Sequence, residues 1–133
     1  MLLSSGALSS RELDVLISGP LYLFASQWVK NRVLKTFVLA VGFGTIIYNL
    51  HNYLYIDARI LKHSLLPSSL VNPRWGKTQL HRLYNICIMY PILFYIYKNI
   101  SVPVYLHLIL YTQLGVGFIY NLINYLKLSK LAF

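Results

Sequence analysis

The chain has 133 residues, 57% of them hydrophobic and 11% charged, with twelve Lys/Arg against three Asp/Glu and a net charge of +9. Soluble domains carry roughly 25% charged residues, so this composition excludes an ordinary water-soluble domain and points to an all-α integral membrane protein. The cations sit at the ends of apolar runs and form no continuous stripe, so anionic lipid headgroups are the expected partner and nucleic acid is not.

Residues 1–36 read as an N-terminal interfacial segment. The first residues lack the basic and apolar regions of a cleavable signal, and Leu2 excludes myristoylation. Val15 to Val29 is uncharged but short against the roughly 20 residues of a comfortable span. Ser18-Gly19-Pro20 interrupts it, and Trp28 and Lys30 stand where an interfacial anchor would. An amphipathic or re-entrant segment is expected here, with a fourth span as the alternative.

The first predicted span covers residues 37–56 and is closed by Asp57-Ala58-Arg59. Residues 57–82 form a basic loop, held out of a helix by Pro67 and Pro73. It carries Arg59, Lys62, Arg74, Lys77 and Arg82, with Trp75 beside Arg74, and these six are the candidate contacts to lipid or to a protein above the membrane. The second predicted span, 83–98, is framed by cations that can snorkel, and Pro91 predicts a kink in it. A turn through Asn99 to Pro103 leads to the third span, 103–126. The expected architecture is therefore one membrane domain over 1–133 with about three transmembrane helices. The loop and the C-terminal tail hold seven Lys/Arg and the opposite side five, which leans the loop toward the cytosol but weakly.

An eight-residue box occurs nearly twice. Ile47-Tyr48-Asn49-Leu50-His51-Asn52-Tyr53-Leu54 returns as Ile119 to Leu126 with only His51 and Ile123 different. Gly42-Phe43-Gly44 and Gly115-Val116-Gly117 precede the copies, at spacings that differ by one residue. Ala40, Gly44, Tyr48 and Asn52 share one helical stripe, and Gln113, Gly117, Asn121 and Tyr125 another. Small residues let a second backbone approach, and carboxamides can then bond across the contact. Gly44, Tyr48, Asn49, Asn52, Gly117, Tyr120, Asn121 and Asn124 are thus the candidate helix-packing residues, joining the first span to the third or one protomer to another. The middle span has no copy of its own, so shared composition explains the box more readily than duplication.

Catalysis finds no support in these residues. Three acids, none paired inside a span, exclude a carboxylate dyad. Cys87 is the single cysteine, without metal-ligand spacing to any His, so no metal or cofactor is expected. His51 and His107 lie within spans and keep a channel or transporter open as a rival.

Ile46 to Leu54, the basic loop, Gln79-Leu80-His81-Arg82-Leu83-Tyr84-Asn85 and Met89-Tyr90-Pro91 together resemble small multi-pass membrane proteins of large icosahedral DNA viruses, closest to the iridovirus-like branch. The resemblance covers roughly residues 19–98 and leaves the second box outside it. It implies a structural protein of the internal virion membrane that contacts capsid proteins, with no catalytic residues to carry over. A small accessory subunit of an organellar complex, such as a respiratory assembly, is the principal alternative.

Overall fold

The computed structural model describes residues 10–67 and 80–132, which are mostly helical with no strand among them. The chain divides into two compact units, Met1–Leu65 and Leu66–Phe133. Each is a helical hairpin.

In the first hairpin, helix α1 joins four stretches in sequence. They are α-helical Ser10–Leu13, a π-helical turn Asp14–Ser18, α-helical Gly19–Ala25 and a 3-10 turn Ser26–Trp28. Helix α2 spans Arg32–Asn52 and is prolonged by a π-helical turn, Tyr53–Asp57. In the second hairpin, helix α3 joins Leu80–Tyr84, a π-helical turn Asn85–Met89 and Tyr90–Asn99. Helix α4 spans Val104–Ala132.

Most of residues 15–29, expected as an amphipathic or re-entrant segment, is a helix packed along α2, with Tyr22 and Ala25 almost wholly buried. Pro20 does not end it. A proline ring clashes with the carbonyl four residues back, and it has no N–H to give. The turn ahead of Pro20 is the wider π form, in which the Gly19 N–H reaches the Asp14 carbonyl. Pro91 follows an identical device, with the Tyr90 N–H bonded to the Asn85 carbonyl. A π turn is a recognised way to seat a local irregularity inside a helix.

The first helices of the two hairpins correspond at one constant offset. The π turn Asp14–Ser18 corresponds to Asn85–Met89, and Pro20 to Pro91. Five consecutive contact positions of α1 are buried, Gly19, Tyr22, Ala25, Ser26 and Val29. Their counterparts in α3, at one constant offset, are Tyr90, Leu93, Ile96, Tyr97 and Ile100, all buried as well. The connection into α4 is one residue longer than that into α2. From there the register follows the box, and buried Val38 and Gly42 correspond to buried Leu110 and Leu114. The helix that lacked a copy in the sequence has one in space, and it is α1.

The ends of the hairpins are fixed by polar contacts. Asn31 caps α2, its Oδ1 accepting from the N–H groups of Val33 at 3.0 Å and Leu34 at 3.1 Å. At the other end, Arg11 of α1 pairs with Asp57 at 2.8 Å. Arg59 then takes a left-handed backbone (φ 54°), and the N–H groups of Ile60 and Leu61 fold back onto the Leu54 carbonyl at 2.8 and 3.1 Å. This closes the helix end much as a glycine C-cap would. In the second hairpin, His107 Nε2 donates to the Tyr97 carbonyl at 3.0 Å, satisfying one of the last carbonyls of α3.

Candidate helix-packing site

The predicted packing residues separate into those at a helix contact and those that are not. Asn121 is at one. It is buried, its Oδ1 accepts from Asn85 Nδ2 of α3 at 3.3 Å, and its own Nδ2 lies 3.4 Å from the Tyr90 hydroxyl. The same amide donates to the Gly117 carbonyl one turn back at 2.8 Å. A single side chain therefore meets a second asparagine, a tyrosine and its own backbone, which a carboxamide with two donors and two lone pairs can do.

Gly117 is also at the contact. A Cβ there would run into the Tyr90 hydroxyl and ring. Tyr90 in turn packs edge-on against Phe118, with ring centroids 6.3 Å apart. In the first hairpin the close approach falls on two other glycines. A Cβ on Gly42 would meet the Leu23 side chain at 2.6 Å, and one on Gly19 would overlap Ile46.

A Cβ on Gly44 would meet nothing within 4 Å in this chain. It lies two residues beyond Gly42, about 200° round the helix, and so faces away from α1. The one-residue difference in glycine spacing now has a cause. In the register of the boxes Gly42 corresponds to Leu114 and Gly117 to Thr45, so the glycines are not equivalent and each makes room for a different partner.

Asn49 and Asn124, both predicted as packing residues, bond within their own helices. Asn49 donates to the Thr45 carbonyl at 2.8 Å, and Asn124 to the Tyr120 carbonyl at 2.9 Å. An amide four residues along a helix reaches back to its own backbone without any partner helix. Tyr48 is half-buried, and Tyr120 is 46% exposed. Asn52 is 2% exposed, and its Oδ1 accepts from His51 Nδ1 at 3.0 Å.

His51, the one position that tells the first box from the second, acts on the segment that follows. Its Nε2 accepts the Leu65 N–H at 3.0 Å, and its ring stacks on Tyr55. With Nε2 accepting, Nδ1 carries the proton that Asn52 receives. The position of His51 within a span is what kept a channel or transporter open as a rival. Its ring nitrogens are both committed to structure, and those of His107 include a bond to Tyr97. Asn85 was the residue missed; its spacing from Tyr90 across a π turn carries no local signal.

Among the loop cations, Arg59 and Lys62 are exposed and Arg82 is half-buried. Arg74, Trp75 and Lys77 lie outside the described residues. No group of three or more His, Cys, Asp or Glu that could hold a metal occurs among the described residues. Cys87 is exposed on α3. Comparison with family models, with curated proteins and with solved structures finds no match for this chain.

Two helices are long and apolar enough to cross a bilayer, Arg32–Asp57 with 26 residues and Val104–Lys127 with 24. They contain the predicted first span and all of the third but residue 103.

Proposed function

We propose that the chain is a structural membrane protein made of two helical hairpins, with apolar flanks toward lipid and glycine, tyrosine and asparagine contacts turned inward. The observation that carries this reading is the exposure of the long helices. In their apolar stretches, 17% of the residues of Arg32–Asp57 and 22% of those of Val104–Lys127 are buried within the molecule. A core helix of a soluble protein buries most of such a stretch. Here Phe43, Ile47, Leu50, Val116, Ile119 and Ile123 all face outward. Long helices that leave most of their apolar side chains exposed form an arrangement that lipid, rather than water, stabilises.

Within that reading, the resemblance to the viral membrane proteins supports a tether between a capsid shell and its underlying membrane. The bilayer would hold the hairpins, and the basic loop would meet an acidic capsid surface. The test is fractionation of the expressed chain. Resistance to alkaline carbonate extraction supports the membrane reading, and release by carbonate sinks it. Copurification with an enveloped icosahedral particle supports the tether. Recovery inside a respiratory complex favours the accessory-subunit alternative instead.

A further inference from the structure

Resting on that membrane reading, we infer that the turn of the first hairpin is an anionic phospholipid site, in which Lys30, Arg32 and Lys35 hold a headgroup phosphate. The three cations stand where α1 gives way to α2, and all three are exposed. Among the described residues, none of them is paired with an acid.

The acids are too far away to neutralise them. Glu12, Asp14 and Asp57 are the three acids of the chain, and all stand at the opposite end of this hairpin, where Arg11 pairs with Asp57. Lys35 and Asp57 are about 33 Å apart along α2 by the helical rise. Exposed charges are screened over roughly 8 Å at physiological salt. The cations at the acidic end, Arg11, Arg59 and Lys62, equal the acids there in number. Those at the turn are offset by none.

The fold does not require these cations. In the register of the boxes, Arg32 and Lys35 correspond to Val104 and His107 of the second hairpin, which turns without them. Their side chains do not hold the turn either. Asn31 already satisfies the Val33 and Leu34 N–H groups, and the Lys35 N–H bonds to the Asn31 carbonyl at 2.8 Å. What remains is three uncommitted cationic side chains beside the positive end of a 21-residue helix.

Their place suits the phosphate of a lipid rather than a soluble anion. Arg32 opens a helix long and apolar enough to cross a bilayer. Arg32 and Lys35, three residues apart, share a face of α2. That face runs on through Thr36 to Phe43, both exposed. A phospholipid would meet the cations with its phosphate and the apolar flank below with its acyl chains. Trp28, edge-on to Phe24 at 4.9 Å, marks the headgroup level as interfacial tryptophans do. The guanidinium of Arg32 offers a planar fork to phosphate oxygens, and the two lysines add mobile charges that snorkel.

The test is native mass spectrometry of the full-length chain in detergent, with phosphatidylglycerol and phosphatidylcholine added in equal amounts. The parent is expected to retain phosphatidylglycerol in preference. The triple variant Lys30→Gln, Arg32→Gln, Lys35→Gln is expected to retain at least about fivefold less, the factor that a single cation near an anionic surface contributes. The double variant Lys30→Arg, Lys35→Arg keeps the charge and is expected to retain as much as the parent. So is the double variant Arg59→Gln, Lys62→Gln. Equal retention by the parent and the triple variant would overturn the inference. An equal loss in the Arg59 and Lys62 variant would overturn it too, by making the attraction one of overall charge. Displacement of the lipid by inorganic phosphate would identify a free-anion site and overturn the lipid assignment. Carbonate release of the unsubstituted chain would instead remove the membrane reading itself, whereas a carbonate-resistant chain with no preference for phosphatidylglycerol overturns this inference alone.

Discussion

Asn85 and Asn121 bond side chain to side chain across the second hairpin at 3.3 Å, one from a π turn and one from the repeated box. The second asparagine also reaches Tyr90, so three polar side chains from two helices form one cluster among apolar neighbours. Asn121→Leu is expected to lower the stability of the detergent-solubilised protein by roughly 0.6–2 kcal/mol. Asn49→Leu is expected to cost less, because its amide is satisfied within its own helix. Denaturation of the two variants in mixed micelles compares them. An equal loss would mean that the cross-helix bond contributes nothing special.

Substitution of the glycines is expected to divide by position. Gly117→Val drives a side chain into Tyr90, and Gly42→Val into Leu23. Each is expected to destabilise by about 1–3 kcal/mol, the usual cost of overpacking. Gly44→Val and Gly115→Val meet open space and are expected to leave the melting temperature nearly unchanged or raise it. A large loss at Gly44 would reveal a contact from outside the hairpin, such as a second protomer.

Arg59 holds a left-handed backbone that a side chain disfavours. Arg59→Gly removes that strain, partly offset by the entropy of glycine, and is expected to stabilise by up to about 1 kcal/mol. Arg59→Ala keeps the strain and removes the same charge. Thermal melts of the two variants separate backbone from charge, and only Arg59→Gly is expected to melt higher than the parent.

His51 holds the Leu65 amide. His51→Leu is expected to free that amide and to speed its hydrogen exchange, along with proteolysis of the segment beyond it. Ile123→Leu in the second box is expected to change neither. Unaltered exchange at Leu65 in the His51 variant would show that other contacts hold the segment.

The long helices and the boxes were legible because apolar length and near-identity of sequence are local signals. The first helix was not. Pro20 reads as a breaker under rules that assume an α-helical turn, and the π turn that accommodates it depends on hydrogen bonds five residues apart. The repeat was half hidden for a related reason. Equivalent buried positions hold Gly19 and Tyr90, or Ala25 and Ile96, so burial is shared while side-chain size is not. Asn49 and Asn121 look alike in sequence. Only the partner offered by Asn85 separates a backbone-satisfied amide from a cross-helix one.

The exchange of large for small across the two hairpins also acts as a pairing key. In one hairpin a glycine on the first helix receives Ile46; in the other a tyrosine on the first helix lies over a glycine on the second. Were α1 to pair with α4, Gly19 would face Gly117, and Gly117 would lose its contact with the Tyr90 ring. Were α3 to pair with α2, the Tyr90 ring would meet the Ile46 side chain. Two hairpins of one design, emerging one after the other during synthesis, are thereby kept from trading helices, and each helix is directed to its neighbour in the chain.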